Sequence, residues 1–213
     1  MTLNSNLIQK KTSETHPLMF DTIEVGRGTI GMTICPGKKG KSLYGAPWDR
    51  DLTLDLKSIQ KFGADYLVTL MRKSELKELG VPLDDWYDSY NDACASFGHY
   101  LIPVYDLNGP DFDPHDDGIF WDWQSRLDRC VRLLQNGRKI VVHCRGGLGR
   151  TGTFVSEILM RNGYSCTKAI KTVRAARPGC VETQSQLTYL THRIKVSPFR
   201  TPYSLGETEY FVR

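Results

Sequence analysis

One cysteine of the chain lies in a setting that favours nucleophilic chemistry on an anion. Residues 141–151 read Val-Val-His-Cys-Arg-Gly-Gly-Leu-Gly-Arg-Thr, so Cys144 is followed by a glycine-rich loop that ends at Arg150. The glycines allow several backbone N–H groups to converge on one point, and such a nest binds anions. Arg150 adds a planar guanidinium that can hold two phosphate oxygens. Because the same surroundings favour a thiolate, we expect residues 144–150 to form a phosphate-binding loop with a nucleophile at its base.

The pattern around this loop is longer than a cysteine and an arginine at a fixed spacing. His143 precedes Cys144, Gly147 follows three residues after the cysteine, and Thr151 follows Arg150. The segment resembles the signature His-Cys-x-x-Gly-x-x-Arg-Ser/Thr of the cysteine-dependent tyrosine and dual-specificity phosphatases, and it matches every specified position.

A second segment extends the resemblance beyond the loop. Residues 174–186 read Arg-Ala-Ala-Arg-Pro-Gly-Cys-Val-Glu-Thr-Gln-Ser-Gln and are similar to the Arg-Pro-Gly segment that follows the signature helix in these phosphatases. Within the superfamily, the chain looks most like the compact kinase-associated dual-specificity phosphatases. The resemblance implies a phosphoprotein phosphatase that hydrolyses phosphotyrosine through a cysteinyl-phosphate intermediate, with phosphoserine and phosphothreonine left open as substrates. It also implies that no metal and no cofactor take part.

Each residue of the expected site has a role. Cys144 attacks phosphorus while the loop N–H groups and Arg150 neutralise the equatorial oxygens. His143 is expected to hold the loop by hydrogen bonding rather than to act as a base. Thr151 either donates its hydroxyl to the sulfur in the second step or is only a residue of the first helical turn. The residues expected to bind substrate are Arg145, Gly146, Gly147, Leu148, Gly149 and Gln186. Arg145 either contacts an acidic substrate or points to solvent.

A leaving oxygen needs a proton, so an acid is expected on a second loop. Asp106 stands 38 residues before Cys144, after a predicted strand, where enzymes of the resembled family carry their acid. Asp111 and Asp113 are the alternatives, although each is also a typical turn residue. By the same resemblance Gln186 is expected to position water, with a helix-surface glutamine as the competing interpretation.

Alternating strands and helices are expected to position these residues. The β-branched run 139–143 predicts the strand that delivers the cysteine, and helical spacing follows over 152–161 and 167–177. A β-hairpin or edge strand is predicted over 22–35, and further strands over 65–70 and 99–104. Further helices are predicted over 53–62, 75–79, 84–97, 116–136 and 183–195. We therefore predict an α/β fold, a single domain with a mostly parallel sheet of about five strands and helices on both faces. The expected boundaries are a flexible arm at 1–17, a phosphatase domain at 18–197 and a tail at 198–213.

Composition limits the partners and the cellular location. The chain has 213 residues and a net charge of +4, and its basic residues are scattered. Composition therefore gives no argument for nucleic acid or a membrane as partner and leaves the oligomeric state open. A phosphorylated protein is the partner that the resemblance implies. The six cysteines form no Cys-x-x-Cys pair, which indicates reduced thiols and a cytoplasmic location.

Residues 35–42 end in Gly-Lys-Ser, as a nucleotide-binding loop does, but Cys35 stands where such a loop requires glycine. We therefore interpret these residues as a basic surface turn.

Other functions share parts of this pattern. A phosphoinositide phosphatase is one alternative, although lipid-specific relatives often carry lysine at the two loop positions that Arg145 and Leu148 occupy here. A non-catalytic phosphate-recognition module would keep the loop arginine and glycines but would not need Cys144. An arsenate reductase would need resolving thiols, for which Cys166 and Cys180 are the candidates. An intact nucleophile with a candidate acid favours the phosphoprotein phosphatase.

Overall fold

The computed structural model of the chain describes residues 9–42, 45–81, 97–104 and 117–192, with the backbone alone for 117–122. Strands and helices alternate along these ranges. In chain order the elements are β1 (Asp21–Val25), β2 (Gly28–Thr33), β3 (Lys39–Gly40), β4 (Trp48–Asp49), α1 (Leu52–Phe62), β5 (Tyr66–Thr69), α2 (Lys73–Glu78), β6 (Gly98–Leu101), α3 (Asp117–Gln135), β7 (Lys139–His143), α4 (Gly149–Arg161), α5 (Cys166–Ala176) and α6 (Gln184–His192).

Five of the strands form one sheet in the order β1-β2-β7-β5-β6. β2, β7, β5 and β6 run parallel, and β1 pairs with β2 as an antiparallel hairpin. β3 and β4 form a separate antiparallel pair. In the main sheet, His143 pairs with Thr33 on one side and with Thr69 on the other. The carboxyl ends of three parallel strands therefore meet at one edge, which is where α/β proteins bind ligands.

Helices cover both faces of this sheet. A Cβ at Gly28 would lie 2.8 Å from the Cα of Leu134 on α3, whereas a Cβ at Gly31 would lie 3.1 Å from the Phe62 ring on α1. Positions 28 and 31 of one strand point to opposite faces, so α1 and α3 lie on opposite sides. The predicted α/β fold with a mostly parallel five-stranded sheet is confirmed.

Three consecutive apolar residues form the middle of the central strand β7. Ile140, Val141 and Val142 are all fully buried. A strand covered on both faces has no polar side, so its residues form a continuous apolar run rather than an alternating one. The start of α1 is likewise set by a nearby residue. The side chain of Asp51 caps this helix by accepting a hydrogen bond from the Leu54 N–H.

The chain termini are described in part. Within residues 9–17 of the predicted arm, Lys11 forms a β-bridge with Trp48 and the Ser13 hydroxyl accepts a hydrogen bond from the Asp51 N–H at 2.9 Å. Residues 1–8, 82–96 and 193–213 lie outside the described residues, and with them the predicted tail and most of the predicted helix over 84–97. Within the described ranges, no helix is both long and apolar enough to cross a membrane.

The prediction of a basic surface turn over residues 35–42 is wrong for its first half. Residues 35–38 are buried and only residues 39–41 are exposed. The reason is a polar contact in the interior, where the Gly37 N–H donates to the Asp55 carboxylate at 2.8 Å. This bond draws the segment inward, and Lys38 with it.

Candidate active site

Cys144 lies directly after β7, at the edge where the parallel strands end, and is only 3% exposed. The loop that follows turns sharply at Gly147, which has φ +70°. A Cβ at this position would lie 2.1 Å from the carbonyl oxygen of Thr33, so only glycine fits there. Helix α4 then begins at Gly149; its N-cap residue, Leu148, provides no side-chain cap, and its first turn contains no acidic residue. Uncapped N–H groups at a helix start attract anions.

Two cationic side chains hold three successive carbonyls of the phosphate-binding loop. Arg177 donates from Nη2 to the Gly146 oxygen at 3.1 Å and from Nε to the Gly147 oxygen at 2.7 Å. Lys38 donates from Nζ to the Arg145 oxygen at 3.2 Å. In a planar trans peptide the N–H points opposite to the carbonyl. The N–H groups of the three following residues therefore point away from these cations, as an anion nest requires.

Arg150 is buried between α2 and the end of β6. Its Nη1 donates to the Glu75 carboxylate at 2.8 Å and to the Val104 carbonyl at 3.0 Å. Arg150 is 1% exposed and Glu75 4%, so this is a buried ion pair. Such a charge-assisted contact fixes the orientation of the guanidinium.

His143 is held by its neighbours in the sheet. Its Nε2 lies 2.7 Å from the Thr69 hydroxyl, and that hydroxyl lies 2.9 Å from Nε2 of His99. Burial lowers the pKa of His143 to about 3 and that of His99 to about 4, so both rings are neutral at pH 7. A neutral imidazole fixed between strands suits the expected positioning role better than that of a base.

Thr151 and three residues of the loop differ in how far they are buried. The Thr151 hydroxyl is buried, and among the described residues it has no hydrogen-bond partner. A buried hydroxyl in this state needs an explanation, because most such groups are satisfied. Arg145 is exposed, and Gly146 and Leu148 are half-buried.

Gln186 is fully buried, so its interpretation as a helix-surface residue is wrong. Its Oε1 accepts from the N–H groups of Glu182 and Thr183 at 2.9 and 3.3 Å, and its own N–H donates to the Thr183 hydroxyl at 3.2 Å. This reciprocal arrangement is a capping box at the start of α6. Its Nε2 faces the phosphate-binding loop, since a Cβ at Gly149 would lie 2.6 Å from it.

The candidate acids Asp106, Asp111 and Asp113 lie outside the described residues, in 105–116.

Burial raises the pKa of Cys180 to about 12 and also raises that of Cys166, so both stay neutral thiols. This weighs against the resolving role that an arsenate reductase would require of them. Within the described ranges, no group of three or more His, Cys, Asp or Glu residues is arranged to hold a metal ion.

Sequence reasoning did not assign three residues that support the loop. Arg177 is part of the Arg-Pro-Gly segment, and that resemblance could have indicated a role for it near the loop. Lys38 lies in the connection between β2 and β3, and Glu75 lies in α2. No local sequence pattern connects either residue to Cys144. Their roles depend on the topology that brings those elements to one edge of the sheet.

The sequence matches a described family over more than half of its length. Residues 44–164 match the model of the Tc-R-P family, described as "Polymorphic toxin system, DSP-PTPase phosphatase". The chain belongs to this family. The matched range contains the whole phosphate-binding loop of the phosphatase. The prediction of a tyrosine or dual-specificity phosphatase, and thus of a hydrolase, is confirmed.

Individual relatives of the phosphatase agree with this assignment. It is 29% identical over 164 residues to Cyclin-dependent kinase inhibitor 3 of Mus musculus, covering 76% of this chain and 69% of that protein. Its fold is similar to a crystal structure of kinase associated phosphatase with the catalytic-site cysteine substituted by serine, with a TM-score of 0.70, 22% identity and coverage of 84% and 96%. PTPMT1 in complex with PI(5)P shares the fold at a TM-score of 0.55 and 14% identity, over 80% of this chain and 92% of that one. The predicted likeness to the kinase-associated phosphatases is confirmed.

Proposed function

We propose that the phosphatase hydrolyses phosphate monoesters on proteins, phosphotyrosine first, through a cysteinyl phosphate formed on Cys144. The observation that carries this proposal is the buried thiol at the base of a loop whose carbonyls are held outward by Lys38 and Arg177. N–H groups directed away from those cations suit the equatorial oxygens of a transferring phosphoryl group. The scheme needs neither a metal nor a cofactor.

In the first step the sulfur of Cys144 attacks phosphorus while the bond from phosphorus to the substrate oxygen breaks. Arg150, oriented by Glu75, binds the phosphoryl oxygens. Asp106 gives its proton to the leaving oxygen. This assignment is supported by Val104, which stands two residues earlier in the sequence and whose carbonyl accepts a hydrogen bond from Arg150.

In the second step water attacks phosphorus, and the Asp106 carboxylate takes up the proton that the water loses. The bond from sulfur to phosphorus breaks, and Cys144 leaves as the thiolate. The Thr151 hydroxyl donates to the sulfur, a role supported by its burial without a partner among the described residues. The Nε2 of Gln186 lies against the loop at Gly149, which supports a part in positioning the water.

The test of this proposal is the variant Cys144→Ser, assayed on an aryl phosphate and on a phosphotyrosine peptide. Loss of the nucleophile should lower kcat by about 10³-fold or more, while vanadate still binds. Cys166→Ser is the matched control, because Cys166 is a buried cysteine of α5, and it should keep its activity. A chelator should leave the wild type unchanged.

Two outcomes would contradict the proposed mechanism: substantial turnover by Cys144→Ser, or loss of wild-type activity when a chelator is added. The wild type should also be assayed on a water-soluble phosphoinositide. A higher kcat/KM on the phosphoinositide than on the peptide would replace protein by lipid as the substrate class. If the wild type bound phosphate but turned over none of these substrates, the protein would be a non-catalytic phosphate-recognition module.

A further inference from the structure

Lys38 is a buried cation beside the phosphate-binding loop. The residue is 9% exposed, and its Nζ lies 3.2 Å from the Arg145 carbonyl oxygen and 5.6 Å from the centroid of the Trp48 ring. Within the described ranges, no carboxylate forms an ion pair with it. A buried ammonium without a counter-ion is costly. Its position is therefore best explained by an anion that forms close to it.

The fold holds Lys38 in place from its backbone. The preceding Gly37 donates its N–H to Asp55, and the Lys38 carbonyl accepts from the Arg50 N–H at 3.2 Å. Gly37 itself has φ +69°, a backbone conformation that favours glycine. The Asp55 carboxylate is not the missing counter-ion, because Arg50 donates to both of its oxygens at 2.7 Å.

Three of the groups around Cys144 supply no negative charge. Burial raises the pKa of Cys35 and of Cys180 to about 12, so both stay neutral, and His143 is neutral as well. Burial lowers the pKa of Lys38, whereas negative charge on Cys35 or Cys144 acts in the opposite direction. The Lys38 Nζ lies 3.2 Å from the carbonyl oxygen of Arg145, the residue that directly follows Cys144. With Cys35 neutral, a thiolate on Cys144 is the anion available to Lys38.

Lys38 differs from the other cations around Cys144 in being buried without a counter-ion among the described residues. The charge of Arg150 is offset by Glu75 at 2.8 Å, and Arg177 pairs with Asp21. The side chain of Arg145 is exposed, where water screens its charge. The charge of Lys38 is not paired within the described residues, and only 9% of the residue is exposed to water.

We propose that Lys38 is a positioning residue of the phosphatase, which fixes the Arg145 carbonyl and stabilises the Cys144 thiolate with an uncompensated positive charge. The proposal deepens the proposed function and rests on Cys144 as the nucleophile. It assigns to the segment between β2 and β3 a part in activating a residue that lies 106 positions further along the chain.

The test compares Lys38→Met, Lys38→Arg and Lys11→Met with the wild type. The rate of alkylation of Cys144 by iodoacetamide is measured against pH, with the modified residue identified by mass spectrometry. In Lys38→Met the midpoint should rise by about one pH unit, because loss of a nearby opposite charge disfavours the thiolate. The acid limb of kcat/KM on 4-nitrophenyl phosphate should move in the same direction.

Lys38→Arg keeps the charge and should restore the midpoint close to that of the wild type. Lys11→Met is the matched control, because Lys11 also lies over the Trp48 ring, at 4.9 Å. It should leave the midpoint unchanged. A common shift in both methionine variants would mean a diffuse effect of surface charge and would overturn the proposal.

An unchanged midpoint in Lys38→Met would also overturn it and leave Lys38 as a simple tether of the loop. If that variant does not fold, Lys38→Gln takes its place, because glutamine keeps a neutral donor for the Arg145 carbonyl, and the same upward shift is required. Alkylation needs no turnover, so this result is separate from the fate of the proposed mechanism. That mechanism fails if Cys144→Ser stays active, whatever the midpoints are.

Discussion

Three cationic side chains around Cys144, those of Arg150, Arg177 and Lys38, differ in how their charges are balanced. Arg150 is paired with Glu75, and Arg177 is paired with Asp21. Paired guanidiniums give direction to hydrogen bonds but add little net charge, because the opposite charge lies within a few ångströms. At this scale, orientation comes from the paired arginines, and net positive charge comes from Lys38.

The acid is the residue whose assignment gains most from a direct experiment. A leaving oxygen that is a strong base needs its proton in the transition state, whereas a nitrophenolate leaves readily as an anion. Asp106→Asn should therefore slow hydrolysis of phenyl phosphate by about 10²–10⁴-fold and that of 4-nitrophenyl phosphate far less. It should also remove the descending limb of the pH profile at high pH. The measurement is kcat/KM across a series of aryl phosphates with different leaving groups.

Asp111→Asn and Asp113→Asn are the matched controls for this series. Each should give a smaller loss that does not depend on the leaving group, since the expected role of these residues is loop shape. A steep dependence in Asp111→Asn with wild-type behaviour in Asp106→Asn would move the acid five positions along the chain.

How far the sequence predicts these residues depends on how local their contacts are. The residues from Cys144 to Arg150 form one contiguous loop, so their types and spacing were enough to predict a phosphate-binding loop. Gln186 was named as a candidate from the resemblance, whereas its burial follows from the capping box with Thr183 and from packing against the loop. Lys38 was misinterpreted as a surface residue, because the bond that draws its segment inward joins Gly37 to Asp55, 18 positions away.

At the scale of elements, the C-terminal end of α5 braces the loop that precedes α4. Arg177, the residue after the last turn of α5, donates to two carbonyls of the loop and pairs with Asp21 at the start of β1. One side chain thus connects a helix, an edge strand and the phosphate-binding loop. The sequence predicted the helix and the strand, but an ion pair between residues 156 positions apart has no local signal.

Replacing this brace should weaken phosphate binding. Arg177→Lys keeps the charge but cannot donate to both carbonyls with the geometry of the guanidinium, and one such charge-assisted bond contributes about 1.5–3 kcal/mol. We expect kcat/KM on an aryl phosphate to fall by about tenfold or more, with weaker vanadate binding measured by calorimetry. Lys171→Met, at an exposed position of α5, should leave both quantities unchanged. Equal vanadate affinity in Arg177→Lys and the wild type would show that the loop keeps its shape without the brace.

At the scale of the whole molecule, the periodicity of the sequence predicted the fold and left its contacts undetermined. The β-branched run 140–142 indicated a strand, and the alternation of strands and helices then favoured a mostly parallel sheet with helices on both faces. Periodicity does not give strand order, and only the order places His143 between Thr33 and Thr69. The buried contact from His143 through Thr69 to His99 follows from that order.

This buried contact should make the stability of the whole molecule depend on pH. The folded pKa values of about 3 for His143 and about 4 for His99 lie below the value near 6.5 expected in the unfolded chain. Below pH 6.5 the unfolded chain therefore binds more protons than the folded one. The stability is complete above that pH and is lost as the pH falls towards the folded pKa values. Between pH 7 and pH 5 we expect a loss on the order of 2 kcal/mol for each histidine.

Urea unfolding at pH 7 and pH 5 measures this loss directly. His99→Gln should reduce the difference between the two pH values by about half, because one of the two titrating rings is gone while glutamine can still bond to Thr69. His192→Gln is the matched control, since His192 is exposed at the end of α6, and it should keep the full difference. If His99→Gln kept the full difference as well, the protons taken up on unfolding would have to bind elsewhere, and the imidazole of His99 would already be charged in the folded protein.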